Sequence, residues 1–282
     1  MRNFYIIVNE DKEDAKNVKK TIEDYLTSHG AVCGASEGEF EKGRRFTSIS
    51  DLPEQTECVI TLGGDGTLIR AARDLAGSGI PIVGINMGGL GYLTQIERKD
   101  DVRELLDALL SDHYQLLDRM MLKGTAYHGG LPVAEDIALN DIVLTREHDL
   151  RVLKFKMYVD GQLLNEYSAD GMIVATPTGS TAYNLSAGGP IAQPDGELLI
   201  LTPVCPHTMT SRTIVLGPES RVRLEISESN TGVQMAVFDG DTRVELGQGD
   251  YIDIEKSDMV TRTVKMDHRS FLDILKHKMY EA

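Results

Sequence analysis

Apolar positions along residues 1–118 alternate between two textures. Short apolar runs at Phe4 to Val8, Cys58 to Leu62 and Ile80 to Ile85 have the length of buried strands. Between the first two, Val18, Ile22, Tyr25 and Leu26 share one face at three- and four-residue spacing. That predicts a helix over 14–29, stopped by Gly30. Ala31 to Ala35 reads as a short strand, 36–51 as a polar loop, and Leu68 to Leu75 and Val102 to Leu110 as helices. Strands alternating with helices predict an α/β domain over 1–118, a parallel sheet with flanking helices.

Beyond residue 118 the texture changes. Strand-like runs follow one another at Leu116 to Ala126, Ala134 to Leu144, Lys154 to Val159, Gly171 to Ala175, Arg221 to Ile226, Gln234 to Phe238 and Tyr251 to Ile254. Asp160-Gly161 is a hairpin signal between Tyr158-Val159 and Gln162-Leu163, and Asp239-Gly240 a second tight turn. An all-β domain over 119–262 is expected. A final segment, 263–282, has helical character from Ser270 to Met279 and is expected to pack back on the first domain.

The bulk numbers narrow the partners. Of 282 residues, 41% are hydrophobic and 26% charged, the profile of a globular protein with a sizeable core. The net charge of −15 argues against nucleic acid and anionic membranes as partners. An anionic substrate must then meet local positive potential from backbone amides, a few Arg and Lys, or Mg²⁺. The N-terminal apolar run is too short for a signal peptide, and no apolar stretch reaches the length of a membrane span. Cys33, Cys58 and Cys205 are far apart with no CxxC or Cys/His cluster, so no zinc site or disulfide framework is expected and a reducing cytoplasm fits.

Three segments carry candidate chemistry. Gly63-Gly64-Asp65-Gly66-Thr67 joins a predicted strand to a predicted helix. Glycines let backbone N–H groups approach an anion, and a helix N-terminus favours negative charge. Read alone, the segment is either a tight turn or a phosphate-cradling loop, in which a carboxylate would bind a metal or take a proton. It is neither a Walker loop nor GxGxxG. The second segment, Ala169 to Pro190, places hydroxyls at 178, 180, 181, 183 and 186, suited to hydrogen bonding with ribose, amide or adenine edges. Thr178 or Ser180 is expected to cap a helix there. In the third, Asn140-Asp141 interrupts an apolar run, which predicts a bend or strand end.

Together these segments resemble the NAD kinase family. The Gly-Gly-Asp-Gly-Thr motif is matched at 63–67 and the Pro-Thr-Gly-Ser-Thr-Ala-Tyr signature at 177–183. The stretch Gly84-Ile85-Asn86-Met87-Gly88-Gly89-Leu90-Gly91-Tyr92 resembles the family's glycine-rich segment. The resemblance implies an α/β domain, an all-β domain and an active site at their junction. It implies transfer of the ATP γ-phosphoryl group to the 2′-hydroxyl of the adenosine ribose of NAD, with Mg²⁺ accompanying ATP, in a homodimer or homotetramer. Asp65 becomes the general base or a metal-linked carboxylate. Gly63, Gly64, Gly66, Thr67 and Arg70 line the NAD and phosphate region. Asn140 and Asp141 match an Asn-Glu pair that grips the substrate, Arg151 reaches the same substrate, and Asp170 with Thr181, Ala182, Tyr183, Asn184, Leu185 and Ser186 supply further contacts. Two departures stand out. Asp141 is one methylene shorter than the family's glutamate, and Phe238-Asp239-Gly240-Asp241 has an acid where the family often has glutamine.

Three rivals share parts of the pattern. A lipid kinase of the diacylglycerol or sphingosine type has the same glycine-aspartate loop, but the 177–186 segment and the lack of a basic or apolar membrane face argue against it. A phosphofructokinase-type enzyme would show further arginines for a sugar phosphate. A non-catalytic NAD(P) sensor would have lost the loop acid, and Asp65 is present.

Overall fold

The computed structural model describes residues 1–282 apart from 10–13, 37–46, 89, 90, 95, 97, 98, 147–151, 208–210, 267–269 and 282. The chain forms two compact units: unit 1 is Met1–Asp118 with Val260–Ala282, and unit 2 is Arg119–Met259.

Unit 1 alternates strand and helix: β1 (Asn3–Val8), α1 (Ala15–Ser28), β2 (Val32–Ala35), β3 (Cys58–Gly63), α2 (Asp65–Asp74), β4 (Ile82–Asn86) and α3 (Lys99–Leu110). The strands lie side by side in the order β2-β1-β3-β4, all parallel, with Ile6 opposite Ile60 and Gly63 opposite Asn86. The apolar face of α1 delivers Ile22 and Leu26 into a core with Phe4, Ile60, Ile85 and Leu105. Gly30 ends α1 with a positive φ of 74°, as expected of a residue just past a helix. Much of the predicted loop at 36–51 lies outside the described residues; within it, Ile49–Asp51 forms one 3₁₀ turn closed by a Ser48–Asp51 capping box.

Unit 2 is built from antiparallel strands: most of β5 (Gln115–His128), then β6 (Leu131–Ala138), β7 (Asp141–Arg146), β8 (Leu153–Val159), β9 (Gln162–Ala169), β10 (Gly171–Ala175), β11 (Leu199–Val204), β12 (Ile214–Leu216), β13 (Val222–Ile226), β14 (Gln234–Phe238), β15 (Thr242–Leu246) and the first part of β16 (Tyr251–Lys265). One sheet runs β12-β11-β10-β7-β14-β15. The strands β9-β8-β13-β16 form a second antiparallel set, and β5 pairs with β6. One apolar core joins both sets through Leu122, Ile142, Phe155, Val174, Leu224, Phe238 and Ile252. Such strands bury alternate residues against the facing sheet, as the burial pattern of β13 records. Asp160-Gly161 turns β8 into β9, and both residues have positive φ (51° and 78°), the hairpin geometry that Asp-Gly favours.

The structure corrects three sequence readings of the fold. The run 134–144 is not one strand: it breaks at Leu139-Asn140, where backbone N–H groups leave the ladder for the Asp239 carboxylate. Helix α2 begins at Asp65 rather than Leu68. Neither Thr178 nor Ser180 is a cap: Pro177 and Ala182 occupy the cap positions of the 3₁₀ turn Thr178–Thr181 and the four-residue α4 (Tyr183–Ser186), and the Thr176 hydroxyl accepts Gly179 N–H at 3.0 Å. The chain ends in unit 1 with α5 (Phe271–Lys276), opened by a Ser270–Asp273 capping box and continued by a π-helical turn over His277–Glu281. Among the described residues no helix is long and apolar enough to cross a membrane.

Backbone contact between the turn at 178–181 and the break at 139–140 demands a glycine. A Cβ on Gly179 would overlap the Asn140 carbonyl. Gly179→Ala is expected to cost about 1–3 kcal/mol, read as a lower urea midpoint. Gly217→Ala, where a Cβ would meet nothing within 4 Å, should stay within about 0.5 kcal/mol of the parent protein.

Candidate active site

One candidate group lies within unit 1, at the ends of β3 and β4. In the strand order β2-β1-β3-β4 the direction of winding reverses between β1 and β3, and open α/β sheets bind ligands beyond the carboxyl ends of strands at such a point. Gly63 closes β3, and a Cβ there would overlap the Thr67 hydroxyl. Gly64 is the N-cap of α2, so Asp65 is the first helical residue, at the positive end of the helix dipole. Gly66 and Thr67 complete the first turn and Arg70 follows on the same helix.

The Asp65 carboxylate faces the segment after β4. Tyr92 N–H donates to Oδ2 at 2.9 Å, Leu93 N–H and Thr94 N–H donate to Oδ1 at 3.2 and 2.9 Å, and the Thr94 hydroxyl donates to Oδ1 at 2.7 Å. Gly91 permits this wrapping, since a Cβ there would overlap Asp65 Oδ1. Behind Thr94, the Asn86 amide donates to its Oγ1 at 2.8 Å and accepts Gly88 N–H at 2.7 Å. The stretch 84–92 was read from the sequence as a motif without a role; Gly91 and Asn86 now have one. Gly89 and Leu90 of that stretch lie outside the described residues.

A second candidate group, within unit 2, forms around Asn140-Asp141. Asp239, held at a φ of 50° in the turn after β14, accepts Leu139 N–H at 2.7 Å through Oδ2, and Asn140 and Asp141 N–H at 2.8 and 3.1 Å through Oδ1. The Thr176 hydroxyl donates to Leu139 O at 2.6 Å and Thr176 N–H to Asn140 O at 2.8 Å. With its backbone fixed from both sides, the Asp141 side chain is only 5% exposed. Burial, and then the neighbouring Asp239 charge, push its carboxyl pKa up to about 7. Asn140, Asp141, Ala182, Tyr183, Asp239 and Gly240 line a cavity of about 390 Å³, a volume within the usual range for small-molecule sites.

The remaining sequence candidates divide. Asn184 is buried and directed inward: its amide donates to Ser180 O and Pro190 O, each at 3.0 Å, and accepts the Thr202 hydroxyl at 2.7 Å. The Thr181 hydroxyl donates to Thr178 O at 3.3 Å. Asp170 pairs with Arg146 at 2.7 Å. Leu185 and Ser186 complete α4 and are absent from the cavity lining, and Arg151 lies outside the described residues. Asp241 occupies the turn after Gly240, where its N–H meets Phe238 O at 2.9 Å. Asp239, Asn86 and Thr94 were missed as site residues. The Asp-Gly turn marks the first and the 84–92 motif contains the second, but nothing local in the sequence marks Thr94. A larger groove of about 700 Å³ crosses β8, β13 and β16, but Arg221 pairs there with Glu255 and Arg223 with Asp253. Asp160, Glu219 and Glu225 also line it, so the groove is acidic and ill suited to an anionic ligand, and the smaller cavity is the better candidate.

Two family models match: the ATP-NAD kinase N-terminal domain over residues 4–114 and the ATP-NAD kinase C-terminal domain over 139–266. The chain belongs to the NAD kinase family. Curated relatives named NAD kinase include one from Lachnospira eligens, 42% identical over 99% of this chain and 100% of the relative. Another, from Agathobacter rectalis, is 40% identical over 99% of both chains. Among solved structures, the fold is similar to yeast NADH kinase complexed with NADH (TM-score 0.87, 22% identity, 100% of this chain and 89% of that one). It is also similar to an NAD kinase from Archaeoglobus fulgidus in complex with ATP (TM-score 0.76, 24% identity, 97% and 98%). Family membership supports NAD kinase chemistry over the lipid kinase and sensor readings.

The buried acid Asp141 makes stability depend on pH. An acid whose pKa is higher folded than unfolded binds its proton better in the folded state. The protein is therefore expected to lose stability as pH rises from the ordinary aspartate range, about 4, to about 7. Asp141→Asn should flatten that slope; melting temperature against pH for both proteins checks it.

Proposed function

We propose that this chain transfers the γ-phosphoryl group of ATP to the 2′-hydroxyl of the adenosine ribose of NAD, giving NADP and ADP, with Asp65 receiving the hydroxyl proton. The observation that carries this reading is a carboxylate at the first turn of α2, oriented by four donors from residues 92–94. A ribose hydroxyl is a weak nucleophile at neutral pH. As its oxygen bonds to the γ-phosphorus, the bond from that phosphorus to the bridging oxygen of ADP breaks, and the hydroxyl proton passes to Asp65. General-base assistance of this kind contributes roughly 10²–10⁴-fold.

Backbone N–H groups at Gly64 and Gly66, with Thr67 and Arg70, are assigned to the phosphate and NAD region. Asn140, Asp141, Ala182 and Tyr183 are assigned to the nucleoside, supported by the cavity they share. Asp170, Thr181, Leu185, Ser186 and Arg151 are assigned to NAD on the family resemblance alone. Asn184 is assigned there on the same ground, although its amide is already engaged within unit 2.

Among the described residues no three of His, Cys, Asp and Glu cluster as a metal cage. Mg²⁺ belongs in this reading to the Mg–ATP substrate, neutralising its phosphates. The family resemblance supports a homodimer or homotetramer, which light scattering on the purified protein tests, and three scattered cysteines support a reducing cytoplasm.

Asp65→Asn is expected to abolish NADP formation, a loss of at least about 10²-fold, while calorimetry still detects NAD binding. Near-parental turnover would remove Asp65 from the proton-accepting role, and NAD binding by the parent protein without NADP formation in the presence of Mg–ATP would favour a sensor. Asp141→Ala should raise the NAD KM more than it lowers kcat; an unchanged KM would take Asp141 out of substrate binding.

A further inference from the structure

We propose that Thr94, held by Asn86, is a positioning residue that dictates which oxygen of Asp65 receives the substrate proton. This rests on the reading of Asp65 as the proton acceptor. The polarity of the hydrogen-bond chain carries it. Gly88 N–H donates to Asn86 Oδ1, which turns the Asn86 NH₂ toward Thr94. An amide NH₂ only donates, so Thr94 Oγ1 must accept, and its own hydrogen is left to point at Asp65 Oδ1, 2.7 Å away. Leu93 and Thr94 N–H converge on the same oxygen. Oδ1 thus meets three donors and has no place for a proton. Among the described residues Oδ2 meets one, Tyr92 N–H, and keeps a lone pair for a hydroxyl.

The surroundings are shaped for a threonine. Thr94 has no exposed surface and Asn86 is 6% exposed. A Cβ on Gly84 would overlap the Thr94 methyl, and one on Gly91 its hydroxyl. Valine would fill the same space, so packing alone does not call for the hydroxyl. Its distinctive contribution is a third directed hydrogen on Oδ1, beyond the two backbone N–H groups that valine would leave there. Misplacing a reacting group by about 1 Å can cost about 10²-fold in rate.

The test is steady-state kinetics on the full chain with NAD and Mg–ATP. Thr94→Val should lower kcat by about 10–100-fold with the KM values of both substrates moved less than about twofold, and Thr94→Ser should restore kcat to within about threefold. If the valine variant does not fold by circular dichroism, Thr94→Ala gives the same readout. A kcat within about twofold of the parent protein, a change confined to KM, or no restoration by serine would each overturn the proposal. Asp65→Asn, run alongside, separates the two failures. If it stays active, the Asp65 assignment falls; if it is inactive while Thr94→Val is unchanged, only the positioning role falls.

Discussion

A carboxylate at the start of a helix can rotate freely, cap its own helix, or be captured by another part of the chain, and in unit 1 capture prevails. Asp65 takes three backbone N–H groups and a hydroxyl from residues 92–94. That contact joins the segment after β4 to the segment after β3 and leaves the helix N-terminus open. Much of the local sequence serves it. Gly64 provides the cap so that Asp65 is already helical, Gly91 lets the backbone close around the carboxylate, and Gly84 makes room for Thr94. Each glycine stands where a Cβ would collide or where a cap is needed, and each follows from one buried polar contact having to be complete.

Unit 2 uses the same device for a different end. Asp239 accepts three consecutive N–H groups, those of Leu139 and Asn140 in the break between β6 and β7 and that of Asp141 at the start of β7. The break turns Asp141 into a cavity wall, nearly out of water and beside a second carboxylate, and both effects favour its protonated form. The shorter acid is therefore not simply a weaker version of glutamate.

In and beside the hydroxyl-rich segment 177–186, several polar groups are already engaged. Thr176, Ser180, Thr181 and Asn184 all bond to backbone or to one another within unit 2. They shape the turn, and Ala182 and Tyr183 are what it presents to the cavity. A sequence row shows that donors and acceptors are present; it does not show which are already taken.

The sequence alone determined the α/β and all-β division, the parallel strands of the first unit, the Asp-Gly turns and the family, because hydrophobic period and short glycine motifs are local properties. It also singled out Asp65, Asn140 and Asp141. It did not determine that Asp65 opens the helix, that residues 139–140 break a strand, or that Asn86, Thr94 and Asp239 serve the site. Each of those depends on a contact between segments far apart in the chain: Asp239 lies 98 to 100 positions from the amides it holds, and Asp65 lies 27 to 29 from its donors. Hydrogen-bond saturation is settled only when the strands are side by side, and so the tertiary structure decided which polar groups remained for a substrate.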